Sequence, residues 1–266
     1  MREVNADTRS FELFGRRLEY RWIGPGPGEA PTIVFLHEAL GSTSTWRDFP
    51  ARLAAASGCG ALVYSRTGHG GSEPLSGPRS ERYLHEEALE VLPAVLAHFS
   101  LSDVVLFGHS DGASIAIIHA GAQPGAARGL ILEAPHVFVE EAAHGGVLRA
   151  IEAYETTDLR DRLSRHHGEG TDGLFRAWAE VWLRPAFRDW NIEEYLPSIT
   201  CPVLVIQGED DQYGTPKQVE AVVSQVRGAV RKLVLPKCGH APHSERRNEV
   251  LAATAGFVRQ PPDMGC

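Results

Sequence analysis

The stretch Val104-Val105-Leu106-Phe107-Gly108-His109-Ser110-Asp111-Gly112 decides how the rest of the chain is read. Its first four residues are an unbroken apolar run, as expected of a strand buried on both faces. From Asp111 to Ala122 the pattern becomes helical. Between the two lies G-x-S-x-G, which recurs by chance on its own but, between a strand and a helix, marks a serine raised on a strained turn. Glycines suit positions 108 and 112 because such an elbow brings strand and helix too close for a Cβ at either. Ser110 is therefore the candidate nucleophile. The helix opening behind it would aim free N–H groups and a positive dipole end at a developing oxyanion. The bland alternative is a plain glycine-rich turn.

Working outward, short apolar runs flanked by turn signals recur at 32–36, 61–64, 130–132, 203–206 and 232–235, with helical patterns at 46–56, 83–100, 111–122, 217–226 and 246–258. Residues 12–23 alternate as an antiparallel strand pair, closed by the turn-rich Gly24-Pro25-Gly26-Pro27-Gly28. Strand alternating with helix predicts an α/β fold, a doubly wound, mostly parallel eight-stranded sheet. The alternation stops between Pro135 and Pro197. The expected organisation is a core domain of residues 1–135 and 197–266 with a helical cap insertion at 136–196. Three of the five tryptophans, Trp178, Trp182 and Trp190, fall in that insertion with Phe175 and Phe187. Aromatics at helical spacing serve as core, and Trp178 and Trp182 are also candidates for a lid facing an apolar substrate pocket. There is no internal repeat, and only the tail from Gln260 to Cys266 reads as loose.

A serine hydroxyl is a weak nucleophile at neutral pH and needs a base held by an acid, in the chain order serine, acid, histidine. Two later strands end in such groups. After 203–206 comes Gly208-Glu209-Asp210-Asp211-Gln212-Tyr213-Gly214, and after 232–235 comes Lys237-Cys238-Gly239-His240, with His243 three residues on. Each lies at the carboxyl end of a strand, where open α/β sheets build their sites.

These motifs resemble the α/β-hydrolase superfamily, its capped esterase and C–C hydrolase branch, over nearly the whole chain. The resemblance implies that the acid is Asp211, three residues after the turn glycine, with Glu209 and Asp210 as competitors. It implies that the base is His240 of the Gly-His pair, with His243 a surface or outer histidine without a role. It also implies an oxyanion hole from the Ala39 and Asp111 backbone amides, because His37-Glu38-Ala39-Leu40-Gly41 resembles the family's H-G-x-x-G. The sequence departs from that pattern at Glu38, where the family has glycine. A carboxylate facing the hole would oppose an oxyanion, so Glu38 is expected to point away and pair with Arg47 or Arg66. The competing reading turns it into the pocket, to read a substrate donor or act as an acid. Ser65-Arg66-Thr67-Gly68-His69-Gly70-Gly71-Ser72 resembles the family's G-x-G-x-S turn and reads as scaffold. His136 sits where the family's cap begins, as a substrate contact or a hinge.

A net charge of −8 offers no basic footprint for nucleic acid or anionic membrane. The polar start Met1–Asp7 lacks the apolar segment of a secretory signal, and no run is long enough to span a bilayer. A cytoplasmic location is the expectation. Cys59, Cys201, Cys238 and Cys266 lack CxxC spacing, so they are expected to be reduced thiols, Cys238 a buried structural one. The adjacent His166 and His167 point apart on a helix, and the histidines otherwise show no metal spacing. No GxGxxG or P-loop is present, so no cofactor is expected.

The leading expectation is a serine hydrolase acting on a small carbonyl substrate, a carboxylic ester or thioester first, with lactones and the C–C bond of ring-fission diketones as further candidates. A serine at the elbow disfavours dehalogenase and epoxide hydrolase chemistry, which needs a carboxylate nucleophile. A ligand-binding receptor on the same scaffold and a purely structural protein are the other classes. Partners are restricted to a small-molecule substrate, with a homodimer compatible with the sequence.

Overall fold

The computed structural model describes residues 8–260. Met1–Asp7 and, of the tail expected to be loose, 261–266 with Cys266 lie outside them. The elements run β1 (Arg9–Leu13), β2 (Arg16–Ile23), β3 (Thr32–Leu36), α1 (Phe49–Ser57), β4 (Gly60–Tyr64), α2 (Tyr83–Glu86), α3 (Leu92–His98), β5 (Val104–His109), α4 (Asp111–Ala122), β6 (Gly129–Glu133), α5 (Glu141–Thr156), α6 (Leu159–His167), α7 (Thr171–Leu183), β7 (Val203–Gly208), α8 (Pro216–Gln225), β8 (Val230–Leu235), α9 (Pro242–Glu245) and α10 (Arg247–Arg259).

The eight strands form one sheet in the order β1-β2-β4-β3-β5-β6-β7-β8. β1 and β4 pair antiparallel with β2, and every other pairing is parallel. After β3 the chain steps to one side for β4 and to the other for β5. The carboxyl ends of β3 and β5 thus flank the switch point, where such sheets open a crevice. β3, β4, β5 and β6 are buried at every position, and successive residues feed opposite layers. Ile33, Phe35 and Phe107 pack with Trp46, Phe49 and Phe257 on one face, and Val34, Leu36 and Leu106 join α4 on the other. Each such side chain contributes about 2 kcal/mol of burial.

Two expected helices differ. The first begins at Phe49, because Arg47 takes φ 53° and leaves the preceding residues as turns. The long helix at 83–100 is broken by a π-turn over Glu87–Val91. Pro93 stands just beyond, without an N–H for the turn before it and with a ring that collides with a regular helical carbonyl; the wider turn relieves both. Residues 136–196 carry α5, α6 and α7, with an isolated bridge between Phe138 and Asn191. Among the described residues no helix is long and apolar enough to cross a membrane.

Candidate active site

Ser110 ends β5 at φ 54°, ψ −116°, a left-handed conformation that a residue with a Cβ adopts at a cost of about 1–3 kcal/mol. The strand ladder holds it, since its N–H donates to the Glu133 carbonyl at 2.9 Å. A Cβ on Gly108 would lie 2.2 Å from the Gly112 carbonyl oxygen, and one on Gly112 1.9 Å from that of Leu36. Strand, elbow and helix pack this closely only with glycine at both places.

The loops after β7 and β8 bring Asp211 and His240 to the elbow. His240 Nε2 lies 2.9 Å from Ser110 Oγ, and Nδ1 lies 2.9 and 2.8 Å from the two Asp211 oxygens. A carboxylate accepts only, so the ring proton sits on Nδ1 and Nε2 is free to accept from the serine. Asp211 is held by further donors: Gln207 Nε2 at 2.6 Å, the Tyr213 amide at 2.8 Å and the Gly214 amide at 3.3 Å. Burial would raise this carboxyl, but the bond and charge of His240 and the Tyr213 amide outweigh it and hold it at about 2. Burial would lower His240, yet its bond to Asp211 and the charges of Asp211, Glu38 and Glu133 raise it above the ordinary imidazole value. Glu209 and Asp210, the competing acids, are exposed.

Opposite this pair lies the loop after β3. The Ala39 and Asp111 amides donate no hydrogen bond among the described residues, and both residues line the cavity over Ser110. The carbonyls around the Ala39 amide are tied down one by one. The Glu38 carbonyl, in the same peptide unit as the Ala39 N–H, accepts from the Gly41 amide at 3.0 Å, His37 Nδ1 at 2.7 Å and Arg66 Nη2 at 3.0 Å. His37 Nε2 accepts the Arg66 amide, which puts the ring proton on Nδ1 as that donation requires. His69 Nε2 meets the Ala39 carbonyl at 3.0 Å, and His167 Nε2, from α6, meets that of Leu40 at 2.8 Å. The other His167 nitrogen accepts the Gly70 amide, and His166 bonds Ser44, so both adjacent rings reach the loop after β3, their centroids 6.3 Å apart, rather than pointing apart.

Glu38 does not pair with Arg47 or Arg66. Its Oε2 accepts the Leu40 amide at 2.6 Å, and its side chain lines the same cavity as Ser110. The reason is local: Arg66 is spent on the Glu38 main-chain carbonyl and faces the Asp111 carboxylate at 3.8 Å. Burial raises the Glu38 carboxyl, and the Leu40 amide, His240 and Arg66 act the other way. The Asp111 side chain is also buried and raised by desolvation. It accepts from Tyr83 OH at 2.7 Å, and Tyr83 accepts in turn from Trp182 Nε1 at 3.0 Å.

The remaining candidates converge on one cavity of about 60 Å³, where Trp178, Trp182 and His136 join Ser110 and His240, with Ala143 and Val147 of α5 on the apolar side. His136 is buried, its Nδ1 has no partner, and burial beside His240 lowers it to about 4. Trp178, Trp182, Trp190, Phe175 and Phe187 all belong to the packed core, and of them Trp178 and Trp182 also line the cavity.

A model of the alpha/beta hydrolase family matches residues 33–254. The chain belongs to the alpha/beta hydrolase family. It is 24% identical to a proline iminopeptidase of Lactobacillus helveticus, covering 93% of this chain and 96% of that one, and 23% identical to a 2-succinyl-6-hydroxy-2,4-cyclohexadiene-1-carboxylate synthase of Enterobacter sp., covering 86% and 92%. Among solved structures, the enol-lactonase of Burkholderia xenovorans LB400 superposes with a TM-score of 0.72 at 20% identity, covering 95% of this chain and 100% of that one. These likenesses are all below 25% identity, and the structural one speaks for the fold alone.

Within this alpha/beta hydrolase frame, several residues at the site have no motif of their own. Tyr213 lines the cavity with its ring 4.7 Å from that of His240, and only its place two residues after Asp211 hints at it. His243 is no surface residue: it is buried, its Nδ1 lies 2.8 Å from Glu133 Oε2, and its amide also donates to Glu133. His109 Nε2, 2.7 Å from the His240 carbonyl, donates to it. His109, Glu133 and His243 thus gather as a potential ligand trio that sequence spacing does not reveal, with both Glu133 oxygens engaged by His243. Cys238 is buried, which pushes its thiol up to about 12.

Proposed function

We propose that this chain is a serine hydrolase that cleaves a small ester or thioester through an acyl-enzyme on Ser110. The observation that carries the reading is the continuous contact from Ser110 Oγ through His240 to Asp211, 2.9 Å and then 2.8 Å. His240 Nε2 takes the serine proton as Oγ bonds to the substrate carbonyl carbon, and the carbonyl oxygen takes the negative charge. The Ala39 and Asp111 amides, free of other partners, stabilise that oxyanion at the start of α4, where the dipole adds to them. The His240 proton passes to the leaving group as the carbon–leaving-group bond breaks. Water then attacks the acyl-enzyme with its proton going to His240, and the acid departs as Ser110 recovers its proton. Asp211 keeps the proton on Nδ1 and supports the imidazolium.

The 136–196 segment acts as the cap in this reading, because α5 and α7 contribute Ala143, Val147, Trp178 and Trp182 to the cavity. At about 60 Å³ the space suits a short acyl chain, with His136 and Tyr213 as polar contacts. The test is a fluorophosphonate probe followed by hydrolysis of p-nitrophenyl esters of graded length, an acyl-CoA and a ring-fission diketone. Labelling at Ser110, abolished in Ser110→Ala, with acetate or butyrate preferred over decanoate, is the expected result. Hydrolysis of the diketone alone would move the activity to a C–C bond, and a Ser110 that never labels would sink the nucleophile.

A further inference from the structure

The Glu38 carboxylate stands in the cavity that the serine mechanism uses, on the loop that supplies one of the two oxyanion donors. An ionised group there opposes the negative charge that develops on the substrate, so a site selected for neutral acyl groups has no use for it. Its local engagement is slight. Oε2 takes the Leu40 amide, and among the described residues Oε1 has no hydrogen-bond partner and no Lys, Arg or His nitrogen lies within ion-pair distance of the carboxylate. The groups that bear on it are His240 and Arg66, which favour its charge, Asp111, which opposes it, and the Tyr213 hydroxyl, which its charge raises. Arg66 meets the Glu38 carbonyl and Asp111 through Nη2, its Nε and Nη1 have no hydrogen-bond partner among the described residues, and it makes no ion pair with the Glu38 carboxylate. The remaining wall is Ala39, Leu40, Ala143, Val147, the two tryptophans and His136; burial beside His240 lowers the His136 ring to about 4, so it stands there uncharged at neutral pH, and none of these carries a compensating cation. Partly buried charges are paired in stable complexes, and here the missing partner has to arrive with the substrate.

We infer that Glu38 is a specificity-determining residue that recognises a protonated amine on the acyl side of the substrate, close to the reacting carbonyl, so that the preferred substrates are aminoacyl esters or amides rather than plain fatty acyl ones. Glu38 flanks the Ala39 donor by one residue and folds over to the amide of Leu40 on its other side. An ammonium one or two carbons from a carbonyl held in the hole therefore falls beside it. The ammonium offsets the like charge of carboxylate and oxyanion, which converts a liability into discrimination between charged and neutral acyl groups.

The inference rests on Ser110 being the nucleophile, and the experiment separates the two. Wild type and Glu38→Gln are compared on L-alanine p-nitroanilide and L-alanine methyl ester against p-nitrophenyl butyrate. Fluorophosphonate labelling of Ser110 reports an intact site in each. Glutamine keeps an acceptor for the Leu40 amide and loses only the charge. The expected result is a crossover: kcat/KM on the amino substrates falls about thirty-fold or more as a desolvated charge pair is lost, while butyrate hydrolysis rises about threefold as a like charge leaves the hole. A parallel fall or no change on both classes, with labelling retained, overturns the role of Glu38 and leaves the hydrolase standing. In Ser110→Ala, which cannot turn over, n-propylammonium and n-propanol are titrated against tryptophan fluorescence. Preference for the cation that disappears in the Glu38→Gln double variant supports the amine site even where Ser110 fails to label, and equal weak binding of both overturns it.

Discussion

The two sides of Ser110 are built on opposite terms. On the acid–base side, Asp211 accepts from Gln207, Tyr213, Gly214 and His240, the His240 loop is held by Glu133 and His109, and the buried atoms left without partners, Gln207 Oε1 and His136 Nδ1, belong to uncharged groups. On the oxyanion side, buried polar atoms go without partners: Arg66 Nε and Nη1, Asp111 Oδ1 and Glu87 Oε2, with the Glu38 carboxylate turned into the cavity. Arg66 and Arg79 face Asp111 and Glu87 there, two cations to two anions, and desolvation raises both carboxyls. Buried charge left partly unsatisfied is costly, and it lies on the side where Glu38 stands in place of the glycine of the H-G-x-x-G pattern. In the proposed mechanism the proton transfer belongs to the better satisfied half, and the proposed substrate discrimination to the other.

The sharpest way to break that contrast is to damage the satisfied half. Asp211→Asn keeps the shape but presents a donor where His240 Nδ1–H needs an acceptor, so the ring tautomer is wrong for taking the serine proton. A loss of about 10⁴ in kcat is expected, against less than about twofold for Asp210→Asn, whose side chain is exposed. Steady-state kinetics on one ester with both variants decide it; comparable losses would return the acid to the neighbouring residue.

The next test addresses the unsatisfied half. Arg66→Met fills similar volume but removes the Nη2 donor from the Glu38 carbonyl, and with it one of three bonds that aim the Ala39 N–H. It also removes the cation 3.8 Å from Asp111, leaving Arg79 as the remaining arginine that acts on it. The expected cost is about 10² in kcat with little change in KM, since the hole binds charge that exists only in the transition state. A rise in KM alone would make Arg66 a scaffold residue and remove the oxyanion side's claim to be electrostatically tuned.

The unequal legibility of the two halves has a physical cause. That Ser110, Asp211 and His240 come together was legible because each follows an apolar run, and strand ends in a parallel sheet converge on the switch point whatever the side chains between them. The fold was readable for the same reason: unbroken apolar runs buried on both faces, alternating with helical patterns, leave few other arrangements. Helix boundaries were less so, because Pro93 and the left-handed Arg47 act through local backbone geometry that periodicity ignores. Arg66 makes outward pairing the first expectation for Glu38, but its guanidinium reaches the carbonyl of the same residue and a neighbouring aspartate, and the carboxylate takes the competing direction into the cavity. The Glu133–His243 contact joins residues 110 positions apart, and nothing in a linear pattern encodes a pair that only the packing of α9 over the end of β6 brings together.

That pair supplies the finest test of the contrast, since it asks whether the satisfied half also tunes the base. Burial would raise the Glu133 carboxyl, but His243 and His109 outweigh it and hold it below its ordinary 4.5. A depressed carboxyl stabilises the fold fully above its unfolded value and loses that contribution as pH falls through the folded one. Glu133→Gln should therefore melt lower than wild type by a few degrees at neutral pH, with the gap closing in acid. The charge of Glu133 is also the smallest of the influences that raise His240. Because catalysis needs a neutral His240, activity climbs as pH rises through that raised value, whereas the stability due to the His240–Asp211 ion pair is complete below the unfolded histidine value and is lost over the same climb. Removing the Glu133 charge should move the acid limb of kcat/KM to lower pH by roughly a few tenths of a unit, the least of the expected effects. A melting change with the acid limb unmoved would reduce Glu133 to a strut under the His240 loop, and a limb moving in step with the charge would make the satisfied half a source of basicity as well as of geometry.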